Sequence, residues 1–265
     1  MLQFPRTILA VTPGLPLPRL PFPVDFAHMA YRIGPNLQLL RARPELELEG
    51  GLLMLSGTAS CCRGNFDRFC EQLLSECHIR HMVGVVANWE LSSQYASLVS
   101  ELDRALAVEN LEFWVPEYFS KDVTAGHIMI SSQLSGGTLA ARLQEAVQQW
   151  GKRVALAIEC TPWDFLLPCA PGQERPLEEN QAQQLMSKHA TRFWFSEALF
   201  AQYFTYQAES KLHLVQFDNA YSIRKKLELS KQFGLSGAML SWDEIHRFSR
   251  EIFSSPQKRS GGNAF

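Results

Sequence analysis

The stretch that decides the fold is His81-Met82-Val83-Gly84-Val85-Val86-Ala87-Asn88-Trp89-Glu90. It is a run of apolar, β-branched residues that ends abruptly in Asn, Trp and Glu. A strand that is buried on both faces has this continuous hydrophobic character, which a parallel sheet covered by helices requires. In a parallel barrel the carboxyl end of each strand opens onto the ligand. The stretch therefore predicts a buried parallel strand that presents Glu90 at the open end.

Strand patterns of this kind recur along the chain and alternate with helical patterns, which is typical of parallel strands joined by helical crossovers. The predicted strands are 6–11, 26–33, 52–55, 81–90, 111–115, 127–131, 154–158 and 237–242. The 265 residues suit a (β/α)8 barrel, which typically needs about 250. The glycine-rich turn of dinucleotide folds is missing after the first strand, where residues 12–15 read Thr-Pro-Gly-Leu. We therefore predict a closed α/β TIM barrel over residues 1–253 and a disordered tail over residues 254–265.

A small insertion is predicted near the seventh strand, because that strand is followed by a longer, less regular region that is rich in Pro, Glu and Gln. A helix is expected from residue 177 to about residue 189. Residues 192–206 are rich in aromatic side chains and precede an apolar run at 212–217. These two segments fit either an antiparallel sheet or a helix–strand pair, and the sequence leaves both open.

Composition narrows the class of partner. The net charge is −2 and no long basic stretch is present, so nucleic acid is not expected. No stretch approaches the roughly 18 consecutive apolar residues of a membrane span. The first residues show no charged leader and apolar core, so we expect no signal peptide and a cytoplasmic location, with export by another route left open. The six cysteines and seven histidines lack metal-ligand spacing, so neither a metal nor another cofactor is expected.

Polar and aromatic residues follow several predicted strands, where a barrel would present them to a ligand. The candidates for ligand contact at these strand ends are Trp89, Glu117, Tyr118, Gln133, Glu159, Asp164, Asp218 and Trp242. Each also has a structural interpretation. Trp242 could pack in the core, Asp164 and Asp218 could cap helices or turns, and Glu90 could be held in an ion pair.

Three segments, in this order, resemble the family 18 glycoside hydrolases, the chitinase-like barrels. Residues 83–90 resemble the family's Asp-Gly-x-Asp-x-Asp-x-Glu in the glycine, the bulky seventh residue and the final acid. Residues 131–137 look like its Thr-Tyr-Asp-x-x-Gly segment. Residues 217–226, followed by 234–242, are similar to its Asp-(Asp/Asn)-x-x-Ser-Ile-x-x-Lys and to the Gly-Leu-x-Gly that precedes a strand with a terminal Trp.

The resemblance implies a catalytic pair, Glu90 and Asn88. In the family the glutamic acid protonates the leaving oxygen, and the acetamido group of the substrate acts as nucleophile. The residue two positions before the acid orients that acetamido group, and here it is the uncharged Asn88. The deeper aspartate is replaced by Val86, and the family's tyrosine and aspartate on the sixth strand are replaced by Ser132 and Gln133.

Two functions follow from this mixture of matches and departures. The first is a catalytically impaired or inactive barrel that binds an N-acetylated oligosaccharide or a protein partner. The second is an active retaining hydrolase of N-acetylglucosamine-containing or peptidoglycan-like glycans with Glu90 as general acid. Loss of one preorganised electrostatic partner commonly lowers a rate by about 10²–10³, which an enzyme could survive.

Overall fold

A computed structural model describes most of the chain. The described residues are 5–14, 20, 22–57, 64–134, 136–169, 174–189 and 192–253. The tail predicted at residues 254–265 lies outside them.

Eight parallel strands form a closed barrel, which confirms the predicted fold class. The barrel strands are β1 (Thr7–Val11), β2 (Asp25–Gly34), β4 (Leu52–Ser56), β5 (Gly84–Asn88), β6 (Glu112–Pro116), β7 (His127–Ser131), β8 (Val154–Ile158) and β14 (Ala238–Ser241). They are hydrogen-bonded in the order β1-β14-β8-β7-β6-β5-β4-β2, and pairing of β1 with β2 closes the ring. A short strand, β3 (Gln38–Arg41), extends β2 as an antiparallel hairpin.

Helices cover much of the outside of the barrel. They are α1 (Phe66–Ile79), α2 (Ala96–Val108), α3 (Leu139–Trp150), α4 (Glu179–His189), α5 (Ala220–Gln232), α6 (Trp242–Ile245) and α7 (Ser249–Phe253). The side chain of Asn65 caps α1 by accepting a hydrogen bond from the backbone of Arg68. Trp242 begins α6 and does not end the last strand. Among the described residues, no helix has both the length and the apolar character that crossing a membrane requires.

The barrel interior is filled by every second strand residue, because side chains alternate between the two faces of a strand. These inward residues are Ile8, Ala10, Ala27, Leu52, Met54, Val86, Trp114, Met129, Ala155 and Met239. The residues between them face outward and pack under the helices in a larger second core. Alternation along β5 therefore directs Val86 and Asn88 inward and Trp89, the residue after the strand, outward.

The amino-terminal end of the barrel is filled by a cluster around Trp114, which has no exposed surface. Its ring stacks on His127 with centroids 4.2 Å apart, and its Nε1 donates a 3.0 Å hydrogen bond to Glu112. Arg6 forms ion pairs with Glu112 at 2.7 Å and with Asp25 at 2.6 Å. These packed and ion-paired side chains close the amino-terminal end of the barrel, so a ligand can enter from the carboxyl end.

Gly84 at the start of β5 has a packing role. A Cβ atom at this position would lie 2.3 Å from the backbone oxygen of Glu112 on the neighbouring strand. Any other residue would push β5 and β6 apart. The glycine shared with the chitinase-like motif is thus required here by close strand packing.

The insertion between β8 and α5 is an antiparallel sheet, one of the two structures that the sequence allowed. Its strands are β9 (Trp163–Leu167), β10 (Arg175–Pro176), β11 (Trp194–Ser196), β12 (Ala201–Ala208) and β13 (Lys211–Phe217), in the order β10-β9-β13-β12-β11. Residues of α4 cover one face through a small apolar core. Its members are Leu177, Ala182, Phe204, Tyr206 and Val215.

Candidate ligand-binding site at the barrel mouth

A cavity of about 380 Å³ opens at the carboxyl ends of the barrel strands. This mouth cavity is within the size range of small-molecule sites, about 300–1,000 Å³. Its apolar wall is formed mainly by Met29, Met54, Val86, Met129 and Met239. Its polar rim is formed by Asn88, Glu117, Tyr118, Ser131, Glu159, Ser241 and Glu244. An apolar cavity with a few convergent polar groups is the usual composition of a ligand site.

Strand alternation explains how the polar rim is assembled. Asn88, Ser131 and Ser241 occupy the last positions of β5, β7 and β14, and Glu159 follows directly after β8. Ala155 and Ala157 precede Glu159 at inward positions of the same strand. Side chains that are far apart in sequence therefore meet at one end of the ring.

Glu159 is a carboxyl group of the mouth cavity whose surroundings favour its protonated form. Desolvation by the surrounding walls raises the pKa of Glu159, while a hydrogen bond with the Ser131 side chain and the positive charge of Lys226 oppose the rise. The side chain remains accessible through the open mouth. A carboxyl group that stays protonated to higher pH can donate a hydrogen bond or act as a general acid.

Two further carboxylates make the mouth acidic. Glu244 accepts hydrogen bonds from the backbone of Cys160 at 3.3 Å and from the hydroxyl of Thr161 at 3.4 Å. Burial raises the pKa of Glu244, and the nearby charge of Glu159 adds to this rise against the opposing hydrogen bonds. Glu117 is paired with Arg142. A ligand with hydrogen-bond donors would therefore find several acceptors around the rim.

The two residues of the predicted catalytic pair, Asn88 and Glu90, do not both line the mouth cavity. Asn88 lines the cavity, whereas Glu90 is an exposed residue outside its lining. The hydroxyl of Tyr118, which does line it, donates a hydrogen bond to the backbone oxygen of Trp89. Burial raises the pKa of Tyr118, and the charges of Glu159 and Glu90 raise it further. Glu90 is thus close enough to influence the rim electrostatically.

Trp89 lies on the other side of its strand from the mouth cavity. It is 3% exposed and stacks on Tyr95 with ring centroids 4.7 Å apart. Phe119 contacts its edge at 6.2 Å. In this position Trp89 is a packing residue between the barrel and α2, because alternation turns the residue after Asn88 outward.

The remaining sequence candidates also lie outside the mouth cavity lining. Gln133 donates a 2.8 Å hydrogen bond to the backbone oxygen of Thr161 and borders a second cavity. Asp164 is buried in the insertion sheet, where it accepts hydrogen bonds from His213, Tyr206 and Arg175.

Asp218 and Trp242 complete the set. Asp218 is buried against Lys226. Trp242 is partly buried against the outer core, with its ring centroid 6.3 Å from that of His246.

The structure thus brings together Asn88, Glu117, Tyr118 and Glu159 from the sequence candidates. Sequence reasoning missed Glu244 and the methionine-rich wall. Glu244 follows the last strand by three residues, so the strand-end rule could have found it. The methionines are ordinary strand residues, and nothing in their local sequence distinguishes a cavity wall from a filled core. Among the described residues, no group of three or more His, Cys, Asp or Glu side chains could hold a metal ion.

Comparison with known proteins finds structures with a similar fold but no match by sequence. No protein-family model matches the chain, and no curated protein matches it. Among solved structures, it is similar to the Bacillus cereus spore cortex-lytic enzyme SleL, with a TM-score of 0.61, 15% identity, and coverage of 95% of this chain and 75% of that one. It is also similar to a chitinase from Chromobacterium violaceum, with a TM-score of 0.60, 14% identity, and coverage of 87% and 92%.

A third similar structure is the Group IV chitinase of Ostrinia furnacalis, with a TM-score of 0.56, 14% identity, and coverage of 86% of this chain and 87% of that one. All three likenesses lie at low identity and extend over most of both chains. The protein therefore shares the (β/α)8 barrel fold with these three structures, as the sequence predicted.

Proposed function

We propose that the mouth cavity binds an N-acetylated saccharide and that the chain does not hydrolyse it by the substrate-assisted route. One observation carries this proposal. The inward positions of β5 that the resemblance assigns to two aspartates hold Val86, which is 1% exposed, and the uncharged Asn88. A developing oxazolinium cation would therefore meet no carboxylate from this strand.

The composition of the cavity supports binding of such a ligand. The acetamido methyl group and the apolar face of a sugar ring suit thioether and aliphatic side chains, which adapt well to shape. Sugar hydroxyls are donors for the rim carboxylates, and the Asn88 amide can both donate and accept. The shared fold with chitinases and a cortex-lytic enzyme makes a glycan the first ligand to test.

Isothermal titration with the N-acetylglucosamine tetramer tests binding. We expect Asn88→Leu to weaken binding by about three- to tenfold, because one hydrogen bond of ordinary strength is lost. Gln144→Leu, on the exposed face of α3, is the matched control and should bind as the native protein does. Absence of any binding by the native protein would contradict the proposal and favour a protein-interaction role.

Release of a chromophore from an N-acetylglucosamine oligomer tests hydrolysis. The native protein and Glu90→Gln should give the same background rate. A native rate well above that of Glu90→Gln would overturn the proposal in favour of the active hydrolase with Glu90 as general acid.

A second candidate function is hydrolysis with a different acid, and it rests on Glu159. This residue combines a position in the mouth cavity with a raised pKa, which a general acid at neutral pH requires. A native rate that falls in Glu159→Gln and not in Glu90→Gln would support this candidate.

A further inference from the structure

A second cavity of about 230 Å³ lies beside the mouth, between the rim of β7 and the insertion sheet. Ser131 borders both cavities, so the two are neighbours. We call it the side cavity. Its other lining residues are Gln133, Leu134, Trp163, Phe165, Glu174 and Gln216.

Strand register places two of these residues side by side. Trp163 of β9 pairs directly with Gln216 of β13. Side chains of directly paired residues lie on the same sheet face, with Cβ atoms about 4.5–5.5 Å apart. This face is opposite the one that α4 covers, since Val215, the residue before Gln216 on β13, belongs to the small apolar core. An aromatic ring and an amide therefore form one wall of the side cavity.

The side cavity holds polar atoms that are buried and have no partner. Gln216 is 4% exposed, and its Oε1 accepts no hydrogen bond within the part of the chain that the structure describes. Within the same described part, the buried Nε1 of Trp163 donates no hydrogen bond and the buried Oε2 of Glu174 accepts none. Buried polar atoms are nearly always paired, so three unpaired ones in a single cavity indicate a site for a polar ligand or ordered water.

The kind of atom defines the complementary group. Gln216 Oε1 and Glu174 Oε2 are acceptors, and Trp163 Nε1 is a donor. A primary carboxamide offers two N–H donors and one carbonyl acceptor, which matches this set. A carboxylate offers no donor and would be repelled by Glu174, whereas an ammonium group would leave Trp163 Nε1 unpaired.

We propose that the side cavity binds a carboxamide group. The flat amide would lie between Trp163 and Phe165 with its N–H groups directed to Gln216 and Glu174. Binding of a carboxamide in the side cavity does not require a ligand in the mouth cavity. The side cavity could also extend the saccharide site, by receiving a carboxamide substituent that passes Ser131, and this use rests on the proposed function.

Benzamide and benzoate are suitable probes, because they have the same ring and size and differ in the donors. Dissociation constants from ligand-observed NMR with the full chain should show benzamide at least about fivefold tighter. Gln216→Met retains the side-chain length without the acceptor and should abolish this preference. Gln207→Met changes an exposed glutamine on β12 and should leave it intact.

Three results would overturn the proposal. The first is equal affinity for the two probes, and the second is unchanged benzamide binding in Gln216→Met. The third is no binding of either probe, which would mean that water alone fills the side cavity. Should Gln216→Met not fold, Trp163→Phe removes the donor and keeps a ring, and it should weaken benzamide by about threefold or more. Asn88→Leu should not affect benzamide. Failure of saccharide binding at the mouth is thus distinguishable from failure of the side cavity.

Discussion

The Nζ atom of Lys226 donates a 2.6 Å hydrogen bond to Oδ2 of Asp218, and both side chains are buried. The hydroxyl of Ser222 donates to the other carboxylate oxygen at 2.6 Å. These are the Asp, Ser and Lys of the segment that resembles the chitinase-like motif. Asn219, between them, caps α5 through a reciprocal pair of hydrogen bonds with Ser222. In this protein the segment therefore fixes the start of α5 through a buried network of hydrogen bonds.

Asp218→Ala should destabilise the protein by about 3–5 kcal/mol, because it leaves the charge of Lys226 buried without a partner. Urea unfolding measures the loss. Glu228→Ala removes the carboxylate of a solvent-accessible pair with Lys225 on the same helix and should cost less than about 1 kcal/mol. Equal losses of unfolding free energy in the two variants would show that the buried pair stabilises the protein no more than the solvent-accessible pair.

The fold could be predicted from sequence because most barrel strands are short apolar runs followed by polar residues, as at Val85 and Val86 before Asn88. The sheet in the insertion could not, because the register that brings His213 to Asp164, 49 positions away, leaves no local pattern. Of the sequence candidates, Asn88, Glu117, Tyr118 and Glu159 line the mouth cavity. Trp89 does not, because alternation along β5 turns it outward, and a rule based on strand ends alone does not include that alternation.

Glu159→Gln should stabilise the protein at neutral pH and have little effect at acidic pH. The pKa of Glu159 is raised in the folded state above its ordinary value of 4.5, so the folded protein holds this proton more tightly than the unfolded chain. Stability from this group is fully present below pH 4.5 and is lost as the pH rises towards the folded pKa. Glutamine stays neutral and avoids that loss.

Melting temperatures of the native protein and Glu159→Gln between pH 4 and pH 8 measure this difference. The two curves should meet at low pH and separate above about pH 4.5, the ordinary pKa of glutamate, with the variant the more stable. Separation at low pH that closes as the pH rises would mean that the folded pKa is lowered, and it would remove the basis for Glu159 as a protonated group.

Gly84→Ala should cost about 1–3 kcal/mol, because the new methyl group must displace backbone of the neighbouring strand. Gly136→Ala is the control, since a Cβ atom there meets no atom within 4 Å. It should be neutral or slightly stabilising through the unfolded state. Thermal unfolding of the two variants separates close strand packing from a general effect of replacing glycine.

Val86→Asp tests whether the missing acid of the family pattern can simply be restored. The new carboxyl group would lie in the apolar wall of the mouth cavity beside Met54, its neighbour in register on β4. Burial without a partner should destabilise the protein by about 2–4 kcal/mol at neutral pH. The loss should be smaller at pH 4, where the aspartate is protonated. Asn88→Asp, at an exposed rim position, should change stability by about 0.5 kcal/mol or less.

We expect neither variant to release chromophore from an N-acetylglucosamine oligomer faster than the native protein. Glu90 remains outside the cavity lining in both, and Gln133 still stands where the sequence resemblance expects an aspartate. Because groups that act together in catalysis are strongly non-additive, one restored member of such a set recovers little rate. A gain of tenfold or more in Val86→Asp would instead show that Glu90 reaches the ligand and that a single residue separates this barrel from an active hydrolase.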